Sequence, residues 1–125
     1  MLGDRDVAVT LAVKDLNAAR DFYERVVGLR EPNAMPGAVL YKSGSTTVLV
    51  YESEFAGTNQ ATAASWDVGD DLEGEIEELK RKGVTFEHYD NLPNTTREGD
   101  VHSFGDYKGA WFKDPDGNIL NLGSM

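Results

Sequence analysis

Residues 111–122, Trp111-Phe112-Lys113-Asp114-Pro115-Asp116-Gly117-Asn118-Ile119-Leu120-Asn121-Leu122, read as a strand, a tight turn and a second strand. Pro115 fixes φ at the first corner of the turn, and Gly117 supplies the φ > 0 position that a bulged hairpin requires. The flanking Trp111, Phe112, Ile119, Leu120 and Leu122 are apolar residues of the kind that pack on a pleated sheet. For function, one position in this hairpin matters most, Asn121.

Upstream of the hairpin, residues 61–68, ATAASWDV, form a strand, and Asp70 or Asp71 caps a helix with Leu72, Ile76 and Leu79 on one face. Gly83 ends that helix. Glu73, Glu75, Glu77 and Glu78 precede Lys80, Arg81 and Lys82, so each sign of charge sits near the helix end that favours it. Val84 to Tyr89 is a further strand. Residues 90–107 are polar, contain glycine and are long for a connection within a compact domain, which predicts a functional lid or a mobile loop.

The N-terminal half follows the same order. Residues 7–13, VAVTLAV, are a buried strand; Asp15 caps a helix in which Leu16, Ala19, Phe22 or Tyr23, and Val26 recur at helical spacing, and Gly28 stops it. Glu31 to Gly37, with Pro32 and Pro36, is a loop or a broken edge strand. Strands follow at Ala38 to Lys42 and Thr47 to Tyr51. Val13, Asp15 and Gly28 recur 55 residues later as Val68, Asp70 and Gly83. Strand end, helix cap and helix stop repeating together predict an α+β chain of two tandem βαβββ modules, about residues 5–54 and 60–123, whose sheets enclose a cleft.

With 125 residues the chain fits one domain. The absence of cysteine excludes disulfides, thiolate zinc sites and a cysteine nucleophile. No apolar run approaches the roughly 20 residues of a membrane span, and the N-terminus MLGDRDVAV lacks the shape of a signal peptide. A cytoplasmic protein without a membrane partner is expected. A net charge of −10 with dispersed basic residues argues against nucleic acid. It either steers a cationic ligand or keeps the surface soluble.

Val13-Lys14-Asp15-Leu16, then Asp21-Phe22-Tyr23 and Val27-Gly28-Leu29, then residues 111–118, WFKDPDGN, closely resemble the vicinal oxygen chelate superfamily. That superfamily includes glyoxalase I, fosfomycin- and bleomycin-resistance proteins, methylmalonyl-CoA epimerase and extradiol dioxygenases. The resemblance covers nearly the whole chain and implies the glyoxalase/bleomycin resistance/dihydroxybiphenyl dioxygenase fold. It does not choose among the chemistries this fold carries. In metal-dependent members a divalent ion is held by His, Gln or Glu from the first and last strands of each unit. Carried over, those positions fall on Ala8, Ala63, Asn121 and Val50. None matches, because alanine and valine have no donor atoms and one neutral amide oxygen cannot hold a divalent ion. Neither a metal nor another cofactor is therefore expected.

Strand alternation places Thr10 and Ala12 on the face of Ala8, Ser65 and Asp67 on that of Ala63, Val48 and Glu52 on that of Val50, and Ile119 on that of Asn121. The small, part-polar face leaves room for a sizeable ligand, or merely lets two sheets approach. Thr10, Val50, Ser65, Asp67, Asn121, Trp111 and His102 are the ligand-binding candidates. Both His88 and His102 read as surface or loop histidines, His102 being the better candidate because its loop could fold over a cavity.

Two functions of different class follow. One is a metal-independent binding protein, similar to bleomycin-resistance proteins, which sequester a bulky natural product or antibiotic in a groove, commonly at the interface of a homodimer. The other is a glyoxalase-like or dioxygenase-like enzyme, a lyase or isomerase acting on a small carbonyl or aromatic substrate. It would use a metal bound elsewhere, or Asp67 or Glu52 as a desolvated base.

Overall fold

Leu11 and Val13 alternate inward along β1 (Val9–Val13), and β1 opens the first of two units. The computed structural model describes residues 1–124, and the chain divides into Met1–Thr58 and Asn59–Met125. In the first unit Asp15 caps α1 (Leu16–Asp21), its carboxylate accepting from the N–H groups of Asn17 and Ala18 at 3.0 and 3.2 Å. The helix then widens into a π-helical turn, Phe22–Val27, and stops at Gly28 with φ 84°. Ala19, Tyr23 and Val26 face inward from this run.

Three strands complete the unit: β2 (Arg30–Met35), β3 (Ala38–Ser43) and β4 (Thr46–Glu52), in sheet order β1-β4-β3-β2. β1 runs parallel to β4 and the other pairs are antiparallel. β2 is the edge strand, exposed throughout and irregular around Glu31 and Pro32, where Glu31 has φ 53°. Proline removes a ladder donor and belongs at such an edge. On the helix side the sheet buries Leu11, Val13, Val39, Tyr41, Val48 and Val50. The Tyr41 hydroxyl donates to Glu24 Oε2 at 2.7 Å, and Arg20 Nε reaches the same oxygen at 2.7 Å.

The second unit begins with β5 (Thr62–Asp67), a 3-10 turn at Gly69–Asp71 and α2 (Leu72–Arg81). Asp71 takes the N-cap position, though its side chain makes no capping hydrogen bond. β6 is short, Phe86–Glu87, where a strand over Val84 to Tyr89 was expected. β7 (Thr96–Glu98), β8 (Val101–Phe104), β9 (Tyr107–Lys113) and β10 (Ile119–Ser124) follow. The sheet order is β5-β10-β9-β8-β7, with β6 also on β9, and β5 is parallel to β10. Residues 90–107 thus contain a paired β7–β8 hairpin. Leu72, Ile76 and Leu79 of α2 and Phe86, Ala110, Phe112, Leu120 and Leu122 of the sheet form the apolar core.

The turn between β9 and β10 is held by Asp114. Its Oδ1 accepts from the N–H groups of Asp116 and Asn118 at 2.9 and 2.8 Å, and its Oδ2 accepts from Asn118 Nδ2 at 2.8 Å. Gly117 has φ 91°, as the turn demands. No helix among the described residues is long and apolar enough to cross a membrane.

Candidate functional site

In the parallel β5–β10 pair, Asn121 stands beside Ser65 and Gly123 beside Asp67; across β9, Asn121 stands beside Trp111 and Gly123 beside Gly109. Alternation sends Leu120 and Leu122 to the core, so these residues share the sheet face that looks away from α2. Asn121 is 2% exposed. Its Oδ1 accepts from the Ser65 hydroxyl and, at 3.0 Å, from the Tyr107 hydroxyl, while its Nδ2 donates to the Ala110 carbonyl at 3.3 Å. Both lone pairs of the amide oxygen are therefore taken.

Glycine makes this network possible. The Tyr107 ring lies over Gly109 and Gly123, and a Cβ on Gly123 would stand 2.5 Å from the Tyr107 hydroxyl oxygen. Only hydrogen side chains at 109 and 123 leave the ring its seat against the strands. Tyr107 was not singled out from the sequence for this role; paired glycines opposite an asparagine on neighbouring strands were the available signal.

Trp111 lies on the same face, and its Nε1 donates to Thr62 Oγ1 at 3.1 Å. Around it pack Tyr89, His102 and Phe104, with ring centroids 5.6, 4.9 and 6.1 Å away. His102 is fully buried, which corrects its reading as a loop histidine. Its Nε2 accepts the Tyr89 N–H at 2.9 Å, and its Nδ1 has no partner in hydrogen-bonding geometry. Burial holds the imidazole below its ordinary range, against the opposing pull of the Gly109 and Asp100 backbones.

Two further expectations need correction. Val50 is opposite Leu11, and Val48 opposite Val9, so both point into the helix-side core. The residue beside Thr10, as Asn121 is beside Ser65, is Leu49. Glu52 shares the parity of Val50, but it stands at the strand end and is exposed, as is Asp67. Asp67 Oδ1 accepts the Gly69 N–H at 3.0 Å. Neither carboxylate has the desolvated setting that a general base requires. Thr10 is exposed on β1, and Ala8 precedes that strand at the edge of an open hollow of about 630 Å³ shared with Arg5, Lys42 and Thr47. A second hollow, about 410 Å³, is lined by Asp70, Glu73, Asp106 and Lys108 at the start of α2. It does not include the Asn121 network.

The residues present do not fit the divalent ion that the resemblance implies. Ala8, Ala63, Val50 and Leu49 offer only hydrocarbon, and the Asn121 oxygen is already saturated by two hydroxyl donors. Among the described residues, no three His, Cys, Asp or Glu side chains gather as a cation would need.

Structural comparison finds the same fold in an integron cassette protein from the mobile metagenome of a Halifax Harbour sewage outfall. It is 18% identical with a TM-score of 0.72, covering 98% of this chain and 99% of that one. The lactoylglutathione lyase of Agrobacterium tumefaciens aligns at 20% identity and a TM-score of 0.70, covering 96% and 92%. The fosfomycin resistance protein FosX of Listeria monocytogenes aligns at 16% and 0.70, covering 95% and 91%. No curated protein matches by sequence. The family model of the Glyoxalase/Bleomycin resistance protein/Dioxygenase superfamily matches residues 7–122, and the chain belongs to that superfamily.

Proposed function

We propose that this chain is a metal-independent small-molecule-binding member of its superfamily, a cytoplasmic homodimer that sequesters a bulky natural product or antibiotic. The observation that carries this reading is the saturation of Asn121 Oδ1 by Ser65 and Tyr107. A position that serves coordination in metal-dependent relatives is here built into a fixed hydrogen-bonded surface beside Trp111. Such a surface, apolar rings with a few oriented polar atoms, suits ligand recognition. An enzyme acting through Asp67 or Glu52 has less support, since both are exposed.

The test is titration of the purified protein, with and without chelator, against glycopeptide, enediyne and anthraquinone compounds, read by calorimetry and tryptophan fluorescence. Saturable binding that chelator leaves unchanged is expected. Silence with every compound, or binding that needs an added divalent metal, would overturn the reading. Light scattering checks the homodimer.

A further inference from the structure

The Ala110 carbonyl fixes which way the Asn121 amide faces. Reversing the amide would set Oδ1 against the Ala110 oxygen, two acceptors in contact, so Nδ2 must point to Ala110 and Oδ1 to the two hydroxyls. Both Ser65 and Tyr107 must then spend their only hydrogen on Asn121. What each hydroxyl has left to offer is lone pairs. The one N–H of Trp111 is likewise spent, on Thr62, which leaves the indole only its ring faces. Asp67, two residues after Ser65 on the same face, adds negative charge next to Gly123.

We infer that the Ser65–Asn121–Tyr107 network is an acceptor-only recognition patch that selects ligands carrying a cationic N–H donor, such as an ammonium, amidinium or guanidinium group on a flat apolar body. The inference rests on the small-molecule-binding reading and names the ligand class of that same site. Ser65 Oγ and Tyr107 Oη receive the ligand's N–H groups, and the rings of Tyr107 and Trp111 provide apolar area and cation–π attraction. This polarity is the reverse of a metal centre, which offers a positive charge to ligand oxygens. Carboxylates and phosphonates are rejected because their lone pairs meet lone pairs.

Three probes of one shape separate the possibilities: benzamidinium, benzamide and benzoate, titrated into the ¹⁵N-labelled full chain. Benzamidinium is expected to shift the amide signals of Ser65, Tyr107 and Asn121 saturably, benzamide more weakly and benzoate not at all. Ser65→Ala and Tyr107→Phe should each weaken benzamidinium binding by roughly tenfold, the loss of one charge-assisted hydrogen bond. Both variants keep the carbon skeleton in place, and their spectra report whether the fold survives. Benzoate binding as tightly as benzamidinium would overturn the inference while leaving a small-molecule role intact. So would benzamidinium binding that neither variant weakens, or no shift at these residues with any probe. Benzamidinium binding here with silence from the natural-product panel would instead remove the sequestration reading and keep the acceptor patch.

Discussion

In the first unit a polar contact made by a buried side chain, Tyr41 to Glu24, lies on the helix side of the sheet. In the second, Asn121 with Ser65 and Tyr107 lies on the side away from the helix, and the helix side is built from Leu72, Ile76, Leu79, Phe112 and Leu120. Equivalent positions diverge accordingly: Thr10 stands beside Leu49, but Ser65 stands beside Asn121. The shared frame fixes where strands and helices run, while these two buried polar side chains, Tyr41 and Asn121, find their partners on opposite faces. Among the described residues, the second unit gathers an oriented polar cluster around a buried side chain, Asn121, on the face away from its helix.

The contrast is broken most forcefully through the second unit's core. Phe112→Ala removes a fully buried ring that packs on Phe86, and a loss of about 3–5 kcal/mol is expected in urea unfolding. A loss below about 1 kcal/mol would show that this side is not held by close packing. Gly123→Ala puts a methyl group into the seat of Tyr107; overpacking predicts about 1–3 kcal/mol, with a changed near-ultraviolet signal from the displaced tyrosine. An unchanged signal would mean that the ring does not rest there.

Tyr41→Phe probes the first unit. Glu24 keeps Arg20, so only the hydroxyl's contribution is removed, and about 1 kcal/mol is expected by the same urea measurement. If the loss matched that of Phe112→Ala, the two units would not differ in what holds helix to sheet.

Acid gives the finest discrimination. His102 is held below its ordinary range by burial, so the unfolded chain takes up its proton from about pH 6.5 downward while the folded chain resists. The stability from neutral His102 is full above that pH and is lost as pH falls through it. The carboxyls of Glu24, lowered chiefly by Arg20, and Asp100, lowered chiefly by Lys80, also stabilise the fold at higher pH and lose that contribution only at lower pH. The urea midpoint should therefore drop slightly between about pH 7 and pH 5.5, and His102→Phe should flatten the drop. An equal drop in the variant would place the titration elsewhere.

Much of the frame was legible because its signals are local. Asp15, Gly28, Gly83 and the Asp114 turn each act within a few residues, and the 55-residue repeat follows from them. The β4 face was not legible: Val48, Leu49 and Val50 are all apolar, so alternation has nothing to read, and pairing with β1 decides. His102 was misplaced because its partners, Trp111 and the Tyr89 N–H, come from other strands. That Asn121 and Ser65 share a sheet face was legible from alternation, while the seat of Tyr107 was not, because it depends on glycines from two strands.

The Asp114 turn also bears on the order in which the protein assembles. Its bonds close within five residues and join adjacent strands, whereas the β5–β10 pairing that brings Ser65 to Asn121 must close a loop of 56 residues. Short loops close far faster than long ones, so the β9–β10 hairpin is expected to form early and serve as the template onto which β5 docks. Pulse-labelled hydrogen exchange during refolding should protect Phe112 and Leu120 before Ser65, and the reverse sequence would refute this. The Ser65–Asn121 contact is then among the last parts to be born, and a chain paused late in refolding would hold a finished hairpin and an Asn121 still lacking the Ser65 hydroxyl.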